Sequence, residues 1–449
     1  MLPGGPGPWL PFHCQRHRYP CVFSDGRTAL AHTASAGATF GQVFAVGEFR
    51  ALWAAQALSL IGDQLARVAL AVLVFDRTGS PLLTGLVYAL GFLPAVIGGP
   101  LLASLADRKP HRGLMIRCDV ARAALVALMA VPRLPFVLLC GLLVAVELLS
   151  APFGAARAAL LPEVLPDDRY VVASAVGNIT TQSSQVLGFA AGGGLALLLG
   201  PSRTLLIDAV TFGVSAILLR AFVRARPAAA PIPVQPSAWR SAAAGIALLS
   251  GDRQLRLLVG FALLCGFYVV PEGLAAPYAH SLGGGAGTVG LLMAAQPAGA
   301  VAGALLLARL VAPTRRARWI GPLAVLSCAP LLGCALQPSF AVTLALWTLS
   351  GFGAAYQLAA NAAFMLAVPA TGRGQAFGLV QAGIITVQGV TILLAGAAAS
   401  QIPPEAVVAI AGGLGSIAAA ALALSHARWF LRPGNDRSAA PAPALGGLG

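Results

Sequence analysis

"SLIGDQLARVALAVLVF", Ser59 to Phe75, would fit hydrocarbon throughout if Asp63, Gln64 and Arg67 did not interrupt it. A run of this kind reads as part of a membrane-crossing helix, since about 20 apolar residues cover the width of a bilayer core. Comparable windows recur along almost the whole chain of 449 residues, which is 58% hydrophobic and only 10% charged. The mean hydropathy is +0.81. Soluble globular chains carry about 25% charged residues, so this one lacks the polar surface to face water on all sides. Helices satisfy their own backbone in lipid, and the short alternating segments of a membrane β-barrel do not occur here. The expected class is an all-α membrane protein.

Apolar spans fall at about 51–75, 81–105, 113–132, 134–158, 171–199 and 203–222, and again at about 256–279, 286–311, 317–336, 339–367, 374–399 and 404–430. Twelve spans in two sets of six imply five parts: a disordered tail (1–46), a first six-helix bundle (47–222), a linker (223–254), a second bundle (255–431) and a disordered tail (432–449). In the linker, Trp239, Ala242, Ile246 and Leu249 recur at helical spacing. They suggest either an amphipathic helix on the membrane surface or an ordinary linker helix. A start of translation at Val43 or Val46 is an alternative to the long first tail.

The net charge of +14 resides in short links rather than in a nucleic-acid-binding patch. Even-numbered links carry Arg108, Lys109, Arg112, Arg169, Arg309, Arg315, Arg316, Arg318 and Arg373. The middle link adds Arg224, Arg226, Arg240, Arg253 and Arg256, whereas odd links carry Arg77, Arg133 and Arg203. Basic residues stay on the cytoplasmic side, so both termini are expected there, in a plasma-membrane protein. Five cysteines (Cys118, Cys140, Cys265, Cys328 and Cys334) lie in apolar runs and read as small hydrophobes. Cys14 and Cys21, near His13 and His17, match no standard zinc spacing. No metal or cofactor is expected. With no phosphate-binding Gly-x-x-x-x-Gly-Lys motif, nucleophile elbow or His-Glu-x-x-His, the chain does not read as an enzyme.

Between the second and third spans stands "ASLADRKPHR", Ala103 to Arg112. It resembles the loop signature of the major facilitator superfamily, with Leu105, Ala106, Asp107, Arg108 and Arg112 matching. Ala103, Pro110 and His111 depart from it. "APFGAARAALLPEVLPDDRYVVASAVGNIT" (Ala151 to Thr180), "RTLLIDAVTFGVSAILL" (Arg203 to Leu219) and the stretch Asp76 to Arg108 are similar to a drug and siderophore exporter branch, the enterobactin-exporter-like group. "GFAAGG", Gly188 to Gly193, keeps the glycines of an exporter signature but has Phe189 in place of its proline. The resemblance covers about residues 48–430. It implies two pseudo-symmetric bundles with a cavity between them, and a latch in which Asp107, Arg108 and Arg112 meet the start of the eleventh span near Arg373 when the cavity opens outward. The bare reading of these charges is that they set topology.

Ionisable groups inside a membrane span are costly, about 2.5–3.5 kcal/mol each on insertion scales, and usually face a cavity or a partner. Asp63 and Arg67 stand four apart, so they can form an intrahelical pair or serve a substrate and proton path. Glu147 has no sequence-near partner, and Glu272 lies between Pro271 and Gly273, where a helix can loosen. Either can be a proton carrier or can sit at an aqueous mouth. Asp119 and Arg122 read as a structural pair, and Asp208 as a structural group near the outer entry. Asn178, Gln182 and Gln185 make one polar stripe, Gln381 and Gln388 a second, and Tyr356, Gln357 and Asn361 a third. Such amides suit a binding cavity or interhelical hydrogen bonds equally. The resemblance implies a monomeric secondary transporter that exports hydrophobic or amphipathic small molecules against inward proton flow. An importer on the same fold, or a non-transporting sensor, is the alternative.

Overall fold

The computed structural model describes residues 39–92, 94, 109–166, 168–226, 238–369 and 373–430, and among these every regular element is a helix. A short α1 (Phe40–Phe44) is followed by α2 (Gly47–Thr78), α3 (Pro81–Leu90), α4 (His111–Met129), α5 (Phe136–Val164), α6 (Asp168–Leu199) and α7 (Pro201–Phe222). The linker contributes α8 (Ala238–Gly251). The second half runs through α9 (Arg253–Leu263), α10 (Cys265–Tyr268), α11 (Val270–Gly273), α12 (Ala275–Ser281), α13 (Ala286–Leu310), α14 (Ile320–Cys328), α15 (Phe340–Ala354), α16 (Tyr356–Ala367), α17 (Arg373–Ala398) and α18 (Pro404–Phe430), with 3-10 turns at Pro313–Trp319 and Ala329–Leu336.

Local chemistry sets these boundaries. Gly79 closes α2 in the left-handed region (φ 59°), and Ser80 caps α3 by accepting from the Leu83 amide, with Pro81 in the first turn. The stretch 1–46 was expected to be disordered, yet α1 forms within it. The hydroxyl of Thr39 accepts from the Gln42 amide and the Gln42 side chain accepts from the Thr39 amide, a reciprocal cap. Val43 anchors this turn in the core of the first half.

Among the described residues, eight stretches are long and apolar enough to cross a membrane: Gly47–Thr78, Phe136–Val164, Pro201–Phe222, Arg253–Gly273, Ala286–Leu310, Arg315–Leu336, Arg373–Ala398 and Pro404–Arg428. The other four expected positions fall short for separate reasons. In the second the described helix, Pro81–Leu90, is ten residues long, α4 carries Arg117, Asp119 and Arg122, α6 carries the amide stripe, and the tenth divides at Ala355 between α15 and α16.

The seventh span departs most from an ideal helix. Instead of one run over 256–279 it is built from α9 to α12, with breaks at Leu264, Val269 and Leu274. Pro271 supplies no amide and its ring clashes with the preceding turn. Tight bonds fill in, such as Phe267 N to Leu264 O and Glu272 N to Val269 O, both 3.0 Å.

Within the first half α2 packs along α6 and α7, and α4 along α5 and α7. Within the second half α13 packs on α15, and α14 on α15 and α18. The α13–α15 crossing is close because both sides present glycine. A Cβ on Gly299 would strike Thr348 O, and one on Gly351 would strike Gln296 O. The halves meet where α3 packs on α17 and α6 on α13. There a Cβ on Gly193 would lie 2.7 Å from Gly290 Cα, and one on Gly85 3.1 Å from Gly396 Cα. All four glycines belong to the helix portions adjoining the odd-numbered links. Phe75 and His280 also meet at that end, with ring centroids 5.5 Å apart. The described contacts between bundles therefore close the molecule at the end opposite its basic links.

The linker helix differs from the sequence reading. Leu249 is buried in the core and Gly245 abuts Leu379 on α17, whereas Ile246 is 56% exposed. The stripe thus splits, because α8 docks on α17 along the Gly245–Leu249 side. The segment before it is tied down too. Arg226 makes a two-pronged pair with Glu48 at 2.5 and 3.0 Å, and the Arg224 amide donates to Glu48 at 3.0 Å. That bond to the Glu48 carboxylate raises the pKa of Arg226. Glu163 lies 3.6 Å from Arg226 and 3.7 Å from His111.

Candidate functional site

Asp63 and Arg67, the two charges of the opening stretch, do not pair with each other. The guanidinium of Arg122 on α4 donates to Asp63 Oδ1 at 2.8 Å. Arg122 also stands 3.9 Å from Asp119 and lies over the Phe212 ring, 4.0 Å from its centroid. Ser215 on α7 donates to the other oxygen of Asp119 at 2.6 Å. The i, i+4 geometry allowed the Asp63–Arg67 pair, but a nearly buried Arg122 held by two carboxylates and an aromatic face is the better solvated partner. Asp208, expected near the outer entry, is buried against Gly62 on α2. A Cβ on Gly62 would collide with its carboxylate and with Thr211.

Arg67 is thereby left for another task. It reaches over the Phe92 ring at 5.1 Å and, with Val87, Tyr88, Gly91, Leu143 and Glu147, lines a cavity of about 20 Å³ between α2, α3 and α5. That volume suits about one water molecule. The phenol of Tyr88 then donates to Glu272 Oε2 at 2.8 Å. This bond runs from the second span to the broken seventh, and so from one half to the other, on the inner side of the glycine contacts. The structure brings Arg67, Glu147 and Glu272 to one place and puts Asp63 beside them in a neighbouring ion pair.

The amide stripes divide. Asn178, Gln182, Asn361 and Gln381 are exposed, Gln185 and Gln388 half-buried, and none bonds to a described side chain or carbonyl. They lie on portions of α6, α16 and α17 away from the closed end. Tyr356, placed in the cavity by its spacing, is instead fully buried and donates to Phe261 O at 2.7 Å, while Gln357 bonds the Tyr268 hydroxyl. There the alternative reading, interhelical bonding, is the one the geometry follows.

Residues 52–278 and 273–446 match the family model of the Major Facilitator Superfamily. The chain belongs to that superfamily. Macrolide efflux protein A of Streptococcus pyogenes is 35% identical over 77 residues, 17% of this chain and 19% of that protein. The uncharacterized MFS-type transporter YfiS of Bacillus subtilis (strain 168) is 31% identical over 169 residues, 37% of this chain and 40% of that one. The matches thus span well under half the length of these curated relatives. A bacterial homologue of the human lysosomal transporter Spinster, in an inward-facing and occupied conformation, superposes with a TM-score of 0.68 at 14% identity, covering 87% of this chain and 98% of that chain. The nucleoside transporter NupG superposes with a TM-score of 0.62 at 16% identity, covering 85% and 100%. Such likeness shows the superfamily fold.

Of the superfamily latch residues, Asp107 and Arg108 lie outside the described residues. Arg112 and Arg373 each bond within their own half. Arg112 donates to the carbonyls of Leu219 (3.3 Å) and Arg220 (2.5 Å) at the end of α7, and Arg373 donates to Val368 O at 3.3 Å. The last carbonyls of a helix carry partial negative charge and no internal donor, so each guanidinium serves its own half. Sequence reasoning missed Tyr88, Phe92 and the Asp63–Arg122 pair. Tyr88 gave no signal in an apolar run, whereas Arg122 could have been weighed as a partner because it too is a charge inside a span.

Proposed function

We propose that this member of the superfamily exports hydrophobic or amphipathic small molecules by alternating access, coupled to inward proton flow. The observation that carries this is the Tyr88–Glu272 bond, which joins the halves beside the cavity of Arg67 and Glu147. An ionised Glu272 accepts a charge-assisted bond, about twice as strong as a neutral one. With the outer end closed, Glu272 releases its proton to the cytoplasm and the ionised carboxylate holds the Tyr88 bond; substrate binding then opens the outer end, where Glu272 takes up a proton from outside before the carrier returns. Glu147 and Asp63 are the further proton-responsive groups, and Arg67 is the cation that exchanges partners among them. The exposed amides of α6 and α17 provide the neutral polar wall of the substrate path.

The efflux name of one relative and the exporter-branch resemblance support the outward direction. With the basic links cytoplasmic, in a plasma-membrane protein with both termini inside, the closed end faces outward. The test is flux in oriented proteoliposomes with a panel of dyes and siderophores. Expulsion that stops when an uncoupler collapses the proton gradient is the expected result. Flux indifferent to both pH gradient and potential would reject proton coupling, and net uptake alone would establish an importer.

A further inference from the structure

One cation inside a span is left unused by this scheme. Arg157 sits on α5 ten residues after Glu147, about 15 Å along the helix towards the basic end. Its Nη1 donates to Gln56 Oε1 on α2 at 2.5 Å. Gln56 is itself 9% exposed, so it presents a fixed acceptor. One turn earlier on α2, Trp53 donates from its indole to Thr180 on α6 at 2.8 Å, and the wall around Arg157 is thus knitted from three spans.

Among the described residues no carboxylate pairs with Arg157. The other arginines in polar clusters differ. Arg122 has Asp63 and Asp119, and Arg226 has Glu48 and Glu163. A guanidinium offers five N–H donors, and here a single one meets a described protein acceptor while the side chain stays half-exposed. A cation kept inside a span without a countercharge marks a ligand path, and the planar donor fork fits the oxyanion of a carboxylate, sulfonate or phosphate.

We propose that Arg157, oriented by Gln56, is a subsite for the acidic head of an amphipathic substrate. This rests on the export reading and narrows its substrate class to amphipaths carrying an oxyanion. The same chemistry could come from a lipid headgroup, and the experiment separates the two. Pyrenebutyrate and its uncharged amide are titrated, by fluorescence polarisation, onto the full chain in phosphatidylcholine nanodiscs. The acid should bind about tenfold tighter than the amide, the size of one charge-assisted contact. R157Q should lose that preference while its helical circular-dichroism signal and thermal melt match the natural chain, and R157K should keep part of it. Equal affinities in the natural chain, or a preference that survives R157Q, would overturn the proposal. In phosphatidylglycerol nanodiscs the Arg157-dependent preference should persist, whereas its loss there would assign the oxyanion to lipid and reject the substrate subsite. Binding needs no flux, so a chain that prefers the acid but fails to export it would refute the export reading alone.

Discussion

The two bundles are laid out alike and held together differently. In the first, Asp63, Arg67, Asp119, Arg122, Glu147 and Asp208 are gathered inside the spans, joined by ion pairs, an aromatic face and hydroxyl donors. In the second, among the described residues, Glu272 is the carboxylate deep within a span, and cohesion comes from glycine crossings and buried rings such as Trp347 on Tyr278, 5.3 Å apart. Charged contacts change with protonation, whereas backbone contacts do not. The first half is therefore suited to sensing a charge. The second resists deformation except at its broken seventh span, which is where the Tyr88–Glu272 link to the first half attaches.

That contrast can be broken from either side. Removing Arg122 should have the largest effect, because the buried Asp119 and the partly buried Asp63 would be left without their cation. R122L is expected to cost about 3–5 kcal/mol, read as a fall in thermal stability of the purified chain. The double variant R122L/D63N should recover part of the loss. No recovery would mean that the pair does not act as a unit. In the second half the equivalent injury is steric. G351A would push a methyl into the Gln296 carbonyl and should cost about 3 kcal/mol. Its cost should be the same at pH 5 and pH 8, because a methyl against a backbone carbonyl has no titratable partner, while that of R122L should change with the protonation of Asp119 and Asp63.

The linker helix sharpens the comparison within one turn. L249A should cost about 2 kcal/mol, the low end for a buried leucine, and I246A less than about 0.5 kcal/mol, as for other exposed positions. Equal effects in a thermal melt would show that α8 does not dock on α17.

The architecture was legible because twenty-residue apolar windows have few other uses. Glu147 and Glu272 stood out as candidates, since a carboxylate in such a window demands a reason. The partners were not legible. A helix fixes which of its own residues share a face, so Asp63 and Arg67 looked paired, but which of several cations wins depends on how α4 lies against α2. Tyr356 shows the same limit, since its spacing with Asn361 said only that both were polar positions. The bond from Tyr88 had no trace in the sequence, because a tyrosine in an apolar run is ordinary until the fold sets a carboxylate opposite its hydroxyl.

Tyr88→Phe tests that bond with the least disturbance, since the ring is kept and a single hydroxyl is lost. A hydrogen bond to a charged group contributes about 1.5–3 kcal/mol, and part of this is regained from water once the link opens. The net loss should therefore be about 1.4 kcal/mol, or a tenfold shift away from the posture closed at the odd-link end. Spin labels placed across the Gly85–Gly396 contact would report it as a larger population of long distances. The E272Q variant should shift the same population in the same direction, because a neutral amide accepts more weakly than a carboxylate. Adding Y88F to E272Q should then change little, as both act through one bond. Full additivity of the two would show that Tyr88 and Glu272 bias the halves separately, and the seventh span would no longer be the point where a proton meets the closure of the bundles.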